Sequence, residues 1–406
     1  MNRNKGITLV ALVITIIVLL ILAGVSVAIL VGPNGILTQV GDAKIKTKEA
    51  EIEEHINLWK LDNEIRNENN KEKITSKQFI DDIIKQGVIK EEDVDRVYKT
   101  INIGELKISY LEKGELIPGV LTNKDTVYID INEEKVTIPK GFYVSEQIDE
   151  QIIQDGIVIK DENENEFVWI PVDEPTNMYS GNIEDKETLQ GKLYTKLYTN
   201  DITEEPSEDA KEPVATTYEH SNYEDDITID EYQEEFQMMI KSVVKNKGFY
   251  ISRYEMSTVQ IVEGEKNINI PESKENKKPA NGKDNNMWFG LYYIAELYKN
   301  TNNADISSCM VWGSQYDQML KWFVNSGIDI SSKELLINGK EDKFKNIYSL
   351  ITGKQEWTQA AKNNIMVRVI KGGNYGHVND RTLASSSTSY PFADFDINTT
   401  RFTLIF

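Results

Sequence analysis

The residues able to do chemistry are few. Cys309 is the one cysteine among 406 residues, so no disulfide closes within the chain and no zinc site can rest on two cysteines. His55, His220 and His377 are the only histidines, too sparse for a metal centre. No motif pairs a serine nucleophile with His377 as its base. Carboxylates are plentiful instead. Asp161-Glu162-Asn163-Glu164-Asn165-Glu166 starts like a twelve-residue calcium loop. Position six, however, is Glu166 where glycine is needed, and position twelve is Val172 where a bidentate Glu belongs. The run is read as a turn between Gly156-Ile157-Val158-Ile159 and Phe167-Val168-Trp169-Ile170. Residues 201–235 hold fourteen Asp or Glu and one Lys. No ligand cadence runs through them, so a solvated insertion is expected. The expectation is no metal and no cofactor, calcium being unsupported.

The charge balance narrows the partners. Sixty-six acidic against 45 basic residues give a formal charge of −21. Phosphate binding needs Lys and Arg to replace counterions, so nucleic acid is excluded as the expected partner. At 40% hydrophobic and 27% charged, the chain can bury a sizeable core, and its length allows two or three domains.

The elements that would place these groups begin with an apolar run. Residues 7–31 contain no charged side chain. As one helix they would rise about 37 Å, enough to cross a bilayer. Arg3 and Lys5 precede them and predict a cytoplasmic N-terminus with the bulk of the chain outside. A signal peptide or plain signal anchor is the alternative.

Asn4-Lys5-Gly6-Ile7-Thr8-Leu9-Val10 closes a short basic leader with glycine and then opens the apolar run. This resembles the prepilin N-terminus of type IV pilins and type II secretion pseudopilins. The resemblance implies a membrane-embedded prepilin peptidase that cuts between Gly6 and Ile7 and methylates the new N-terminus. It also implies packing with other pilin-like subunits in a pilus or filament core. The family carries Glu five residues into the mature chain, where this sequence has Ala11, which suits a minor or tip subunit.

Gly32-Pro33-Asn34-Gly35 breaks the run, and a second helix is predicted over about 36–67. Ile45, Ile52, Ile56 and Trp59 mark one face of it. That face either packs on its own head or continues a pilin-type spine against neighbouring subunits. Thr75-Ser76-Lys77-Gln78 reads as a capping box opening a short helix that buries Phe79, Ile80, Ile83 and Ile84 and stops at Gly87. Strands are expected at Leu106–Tyr110, Val127–Ile131 and Val136–Ile138.

From about residue 139 an ordered series appears: Gly141-Phe142, Phe167-Val168-Trp169-Ile170-Pro171, Gly248-Phe249-Tyr250-Ile251-Ser252-Arg253, Trp312-Gly313-Ser314-Gln315, Glu356-Trp357-Thr358, Arg368-Val369-Ile370-Lys371-Gly372-Gly373-Asn374 and Thr400-Arg401-Phe402. The series resembles the formylglycine-generating (sulfatase-modifying factor) domain, a C-type-lectin-like fold, over most of 139–406. Oxidase members of that family bind copper with a cysteine pair near the C-terminus, and 368–406 has no cysteine. The resemblance therefore implies a scaffold without oxidase chemistry. The residues add their own reading. Tyr316, Met319, Leu320 and Phe323 form the core face of a helix capped by Ser314. Arg253 with Glu255, and Arg401, are charges in apolar strands and call for structural salt bridges.

The stretch 375–398 is dense in Tyr, His, Asn, Asp, Ser, Thr and Phe, a palette suited to adaptable recognition. Tyr375, His377, Asn379, Tyr390, Phe392, Asp394, Phe395 and Asp396 are the candidate ligand-binding residues. It also resembles the variable segment of lectin-fold proteins diversified by retroelements, and an ordinary polar loop is the alternative. The expectation is an α+β protein: leader 1–6, transmembrane helix 7–31, helical stalk 32–70, small α+β module 71–138, and a sulfatase-modifying-factor-like, lectin-like domain 139–406 with an acidic insertion at about 173–243. Its expected role is a membrane-anchored surface component, a minor pilin, pseudopilin or type II secretion-like subunit, whose non-catalytic head binds an extracellular protein or glycan. A formylglycine-generating-type enzyme and a purely structural anchored protein are the alternatives.

Overall fold

The computed structural model describes residues 13–14, 16–20, 36–68, 74, 76–95, 100–104, 106–110, 116, 118–130, 132–214, 228–264, 266–281, 287–300, 303–332, 343–351, 353–362, 367–373, 382–390 and 398–406. The chain divides into two compact units, Met1–Lys113 and Gly114–Phe406.

In the first unit, α1 (Ile36–Glu68) and α2 (Ser76–Lys85) precede β1 (Val94–Asp95), β2 (Thr100–Ile103) and β3 (Leu106–Ser109). The strands form one antiparallel sheet in the order β1-β2-β3. Ile52, Ile56 and Trp59 share the core with Phe79, Ile80 and Ile83 of α2 and with Ile101 and Ile108 of the sheet. Trp59 stacks on Phe79 with ring centroids 4.6 Å apart, and its Nε1 donates to the Ile74 carbonyl at 2.9 Å. These apolar positions of α1 thus pack on their own unit. Gly87, at φ +76°, ends α2 as expected: the Val88 N–H reaches back to the Ile83 carbonyl at 3.0 Å, the six-to-one bond of a Schellman cap.

The second unit opens with a hairpin of β4 (Thr126–Ile129) and β5 (Lys135–Ile138), then β6 (Phe142–Val144), β7 (Val158–Asp161) and β8 (Glu166–Pro171). Short strands β9 (Tyr179–Ser180), β10 (Gln190–Gly191) and β11 (Ala210–Lys211) lead to α3 (Ile229–Asn246), β12 (Gly248–Ser252), β13 (Ser257–Glu263) and β14 (Lys266–Glu272). Then come α4 (Met287–Glu296), β15 (Ser307–Met310), α5 (Gly313–Asn325), β16 (Lys343–Phe344), β17 (Ile347–Tyr348) and β18 (Gln355–Lys362). The chain closes with β19 (Arg368–Lys371), β20 (Ser386–Ser389), β21 (Asn398–Thr400) and β22 (Phe402–Ile405).

Two sheets carry this unit. The larger runs β15-β22-β12-β8-β7-β6, antiparallel throughout. Its central strands read as unbroken apolar runs because both faces are covered: Phe167 to Ile170 and Gly248 to Ser252 are all buried. The smaller runs β11-β18-β19-β20, with β21 parallel to β18. The terminal strand β22 lies between β15 and β12, so the last residues of the chain close the core.

Two local expectations change. The acidic run is only partly a solvated insertion. Its end becomes α3, which opens on a capping box of Thr228 and Glu231 and buries Tyr232, Phe236, Met239, Ile240 and Val243. Ser314 is not the cap of α5 but lies within its first turn. There Glu212, distant in sequence, accepts the Gly313 and Ser314 N–H groups at 2.8 and 3.0 Å. Residues 161–166 form the turn that was expected. Asp161 Oδ1 accepts from the Asn163 and Asn165 backbone, and its Oδ2 is taken by Tyr298.

The membrane-spanning part of the expected fold class is corrected, and the mixed α+β character stands. Among the described residues no helix is long and apolar enough to cross a membrane. Of 7–31, only 13–14 and 16–20 are described. They are helical, and a helix over those positions rises about 12 Å against a hydrocarbon core of about 30 Å. The rest of that run lies outside the described residues. α1, at 33 residues, is long enough but carries Lys44, Lys46, Lys48, Glu49, Glu51, Glu53 and Glu54. The single-pass placement, with a cytoplasmic N-terminus and the bulk outside the cell or on a pilus, is corrected by the same finding.

Candidate functional site

The buried charges of the second unit are engaged in structure. Arg401 on the β21–β22 turn donates from Nε to Glu356 at 2.7 Å and from its Nη groups to the Ser252, Arg253 and Tyr348 carbonyls. Arg253 reaches Glu150 at 2.5 Å and Glu166 at 2.7 Å, not its sequence neighbour Glu255. Glu255 instead accepts the Lys354 N–H at 2.6 Å. Burial, with Glu356 close by, pushes its carboxyl up to about 8. Lys371 and Asp317, both fully buried, pair at 2.7 Å. Asp317 also accepts the N–H groups of Tyr194 and Thr195 and the Thr195 hydroxyl. Burial raises Glu212 to about 7 even though it holds two helix N–H groups. Arg368 donates to the Gln359 and Val214 carbonyls and lies 4.3 Å from the Trp288 ring centroid.

Glu235 and Glu296 lie together, and burial raises both carboxyls, Glu296 to about 9. Cys309 is buried, and desolvation pushes its thiol well above the ordinary range; the nucleophilic thiolate is disfavoured there. Glu235 accepts from Tyr292 Oη at 2.7 Å and Gln359 Nε2 at 2.6 Å, and desolvation raises its carboxyl. Among the described residues no group of three or more His, Cys, Asp or Glu is placed to hold a metal ion.

The polar groups facing outward are arranged differently. β20 is the edge strand of the smaller sheet, paired to β19 with Lys371 opposite Ser386 and Arg368 opposite Ser389. Ser386 is buried, Ser387 to Ser389 are half-buried, and the strand runs out into Tyr390, 51% exposed. Tyr198, 65% exposed, stands beside it: its hydroxyl and Thr388 Oγ1 are 2.7 Å apart. Thr388 and Tyr390 are two residues apart and so share one face of the strand. Lys362 Nζ lies 5.2 Å from the Tyr198 ring centroid, and the Tyr198 N–H donates to the Ser386 carbonyl at 2.9 Å.

No family model, no curated protein and no solved structure matches the chain. The site is therefore argued from its own geometry.

Of the expected ligand-binding residues, Tyr390 is placed on this edge. Tyr375, His377, Asn379, Phe392, Asp394, Phe395 and Asp396 lie outside the described residues, as do Gly6 and Ile7. In sequence these residues neighbour the edge: 374–381 lies between β19 and β20, and 391–397 comes after Tyr390. Gly372 and Gly373 directly follow β19 and precede the first of them. A Cβ on Gly373 would fall 1.8 Å from the Ile351 carbonyl, so only glycine lets the chain leave β19 there. Sequence reasoning missed Tyr198. Its signal was a tandem repeat, Leu193-Tyr194-Thr195-Lys196 followed by Leu197-Tyr198-Thr199-Asn200. Both leucines are buried beside Val369, Ala360 and Ala210; Tyr194 is buried as well, and Tyr198 alone of the pair is exposed.

Proposed function

We propose that the protein is a non-catalytic binding protein whose second unit recognises a protein or glycan ligand on the edge formed by β20, Tyr390 and Tyr198. One observation carries this reading: two exposed tyrosines flank a Ser/Thr strand on a sheet whose neighbouring strand is buried and ion-paired. Tyrosine gives contact area with few torsions to freeze, and short hydroxyl residues adapt their hydrogen bonds. The rigid sheet behind them lowers the ordering cost of binding.

The proposed likeness to the sulfatase-modifying-factor scaffold is supported by where its residues fall. Trp169, Tyr250, Trp312, Trp357, Arg368 and Arg401 are all core residues of this one unit. The absence of oxidase chemistry is proposed from the single, buried Cys309. Cleavage between Gly6 and Ile7 is a separate proposal resting on the leader residues alone, checked by N-terminal sequencing of the purified chain.

The binding reading is tested by probing protein and glycan arrays with the wild-type chain and the Tyr198→Ala, Tyr390→Ala double variant. Saturable hits that the double variant loses are expected. Hits kept unchanged by the variant move the site elsewhere. No hits on either array favours a purely structural role. Copper-dependent oxidation of a peptide cysteine would replace the non-catalytic reading with an enzymatic one.

A further inference from the structure

Of the ion pairs among the described residues, one joins a lysine to a carboxylate with both side chains fully buried: Lys371 on β19 and Asp317 on α5. Lys371 Nζ lies 2.7 Å from Asp317 Oδ1. Two opposite charges held without water carry a desolvation cost that their attraction need not offset. An arginine in such a pair stays charged. A lysine can release its proton, and the neutral amine is a nucleophile. Burial lowers the Lys371 amine, against the opposing charges of Asp317 and Glu212.

The Asp317 carboxyl is held as an acyl group is held for attack. Its Oδ2 accepts the Tyr194 N–H at 2.7 Å and the Thr195 N–H at 2.9 Å. Two backbone donors at that range are the arrangement that stabilises the oxyanion of a tetrahedral acyl intermediate. Oδ1, the oxygen beside the amine, also accepts from the Thr195 hydroxyl at 2.6 Å. One oxygen therefore has the oxyanion donors, and the other has the proton donors that a leaving oxygen needs. Tyr194 and Thr195 are themselves buried. The fold brings Asp317 to Lys371 across 54 residues and to Thr195 across 122. Groups fixed in this way react as if at very high local concentration.

We propose that Lys371 and Asp317 condense within the folded unit into an isopeptide bond that joins β19 covalently to α5. Lys371 first passes one ammonium proton to Asp317 Oδ1. The amine lone pair then attacks Cγ, one bond beyond Oδ1, and the C=O electron pair moves onto Oδ2, where the two N–H groups hold it. The carbonyl re-forms, the Cγ–Oδ1 bond breaks, and Oδ1 leaves as water with a second proton from Nζ. Nζ keeps the third proton as the amide N–H. Nothing is oxidised or reduced, and no co-reactant is consumed. A neutral amide replaces two charges in a dry site, which removes their desolvation cost. The buried pairs Arg401–Glu356 and Arg253–Glu150 have no such route, because their cation is a guanidinium. The bond does not depend on ligand binding at the β20 edge.

The test is mass spectrometry of the full chain, purified folded, then denatured and digested with trypsin. The intact wild type should be lighter by one water than the residues between its observed termini. Trypsin should fail to cut after Lys371, and peptide 369–381 should appear joined to peptide 300–321, which carries Asp317. Cys309 is the one cysteine of the chain, so no disulfide can hold these two peptides together. Lys371→Arg keeps a cation beside Asp317 and removes the nucleophile. It should show its full mass and two separate peptides. Masses are read on denatured chains, so the wild-type result stands even where the variant folds poorly. The proposal is overturned if the wild type has its full mass and is cut after Lys371. It is equally overturned if the lost water maps to a single peptide, as in ring closure at an aspartate, or if the two peptides stay joined in Lys371→Arg. Array binding by the β20 edge has no bearing on these masses, so the two proposals fail separately.

Discussion

Strands β19 and β20 are hydrogen-bonded neighbours with opposite uses for polar side chains. On β19, Arg368 and Lys371 are buried and engaged, Lys371 by Asp317 at 2.7 Å and Arg368 by backbone carbonyls and the Trp288 ring. On β20, Ser387, Thr388 and Ser389 are half-buried and lead into exposed Tyr390. A central strand has a neighbour on each side, so each charge placed there must carry its own partner or lose its hydration uncompensated. An edge strand keeps one side open and can hold short hydroxyl groups at little cost. The comparison separates residues buried to hold the fold from residues left partly exposed at its edge.

Breaking the buried side should give the largest effect. Arg401→Met leaves Glu356 in a dry site with its ion pair gone, and a loss of about 3–5 kcal/mol is expected in urea unfolding. A loss below about 1 kcal/mol would mean that Arg401 contributes no more than a surface pair.

The pH dependence comes next. Glu255 titrates near 8 in the folded chain against 4.5 as an ordinary carboxyl. The folded state therefore binds this proton more tightly than the unfolded state. Its contribution is fully favourable below the unfolded value, is lost as pH rises through the window from about 4.5 to 8, and is flat above it. Glu212, near 7, acts in the same direction over a narrower window. Glu255→Gln keeps an acceptor for the Lys354 N–H and removes the titration. Wild type should lose on the order of a few kcal/mol between pH 5 and 9, and the variant less; equal slopes in both would clear Glu255 of the effect.

The edge should respond in the opposite way. Tyr198→Ala with Tyr390→Ala should change stability by about 0.5 kcal/mol or less per site, while costing about 2 kcal/mol or more of ligand affinity. Thr388→Val is the smallest and sharpest probe. It keeps the β-branched shape and removes only the oxygen that meets the Tyr198 hydroxyl. Unfolding should shift by a few tenths of a kcal/mol, with a measurable drop in affinity through loss of the Tyr198 anchor. Variants at the edge that unfold the unit would merge the two regions into one.

How much of this was readable beforehand depended on the range of the interaction. Ile52, Ile56 and Trp59, the Gly87 stop, the turn at residues 161–166 and the Tyr316–Phe323 core face are written in local spacing, and each forms where the spacing placed it. The expectation that Arg253 and Arg401 need acidic partners followed from apolar context. Their identity did not, because Glu166 and Glu356, on β8 and β18, and Glu150, on the turn after β6, are brought in over long sequence separations. The cap of α5 failed for the same reason: Ser314 satisfied the local rule, and Glu212 displaced it from 102 residues away. The spanning helix expected over 7–31 is not found among the described residues, of which that run contributes only 13–14 and 16–20.

By itself the sequence determined the periodicities, the lone thiol, the acidic excess and the aromatic and hydroxyl palette near the C-terminus, because these are properties of residue types and short spacings. Only the tertiary structure decided which carboxylate meets which cation and that Tyr198 meets Thr388 beside Tyr390 on one edge. Those outcomes depend on burial, and burial is set by how distant strands and helices close around one another.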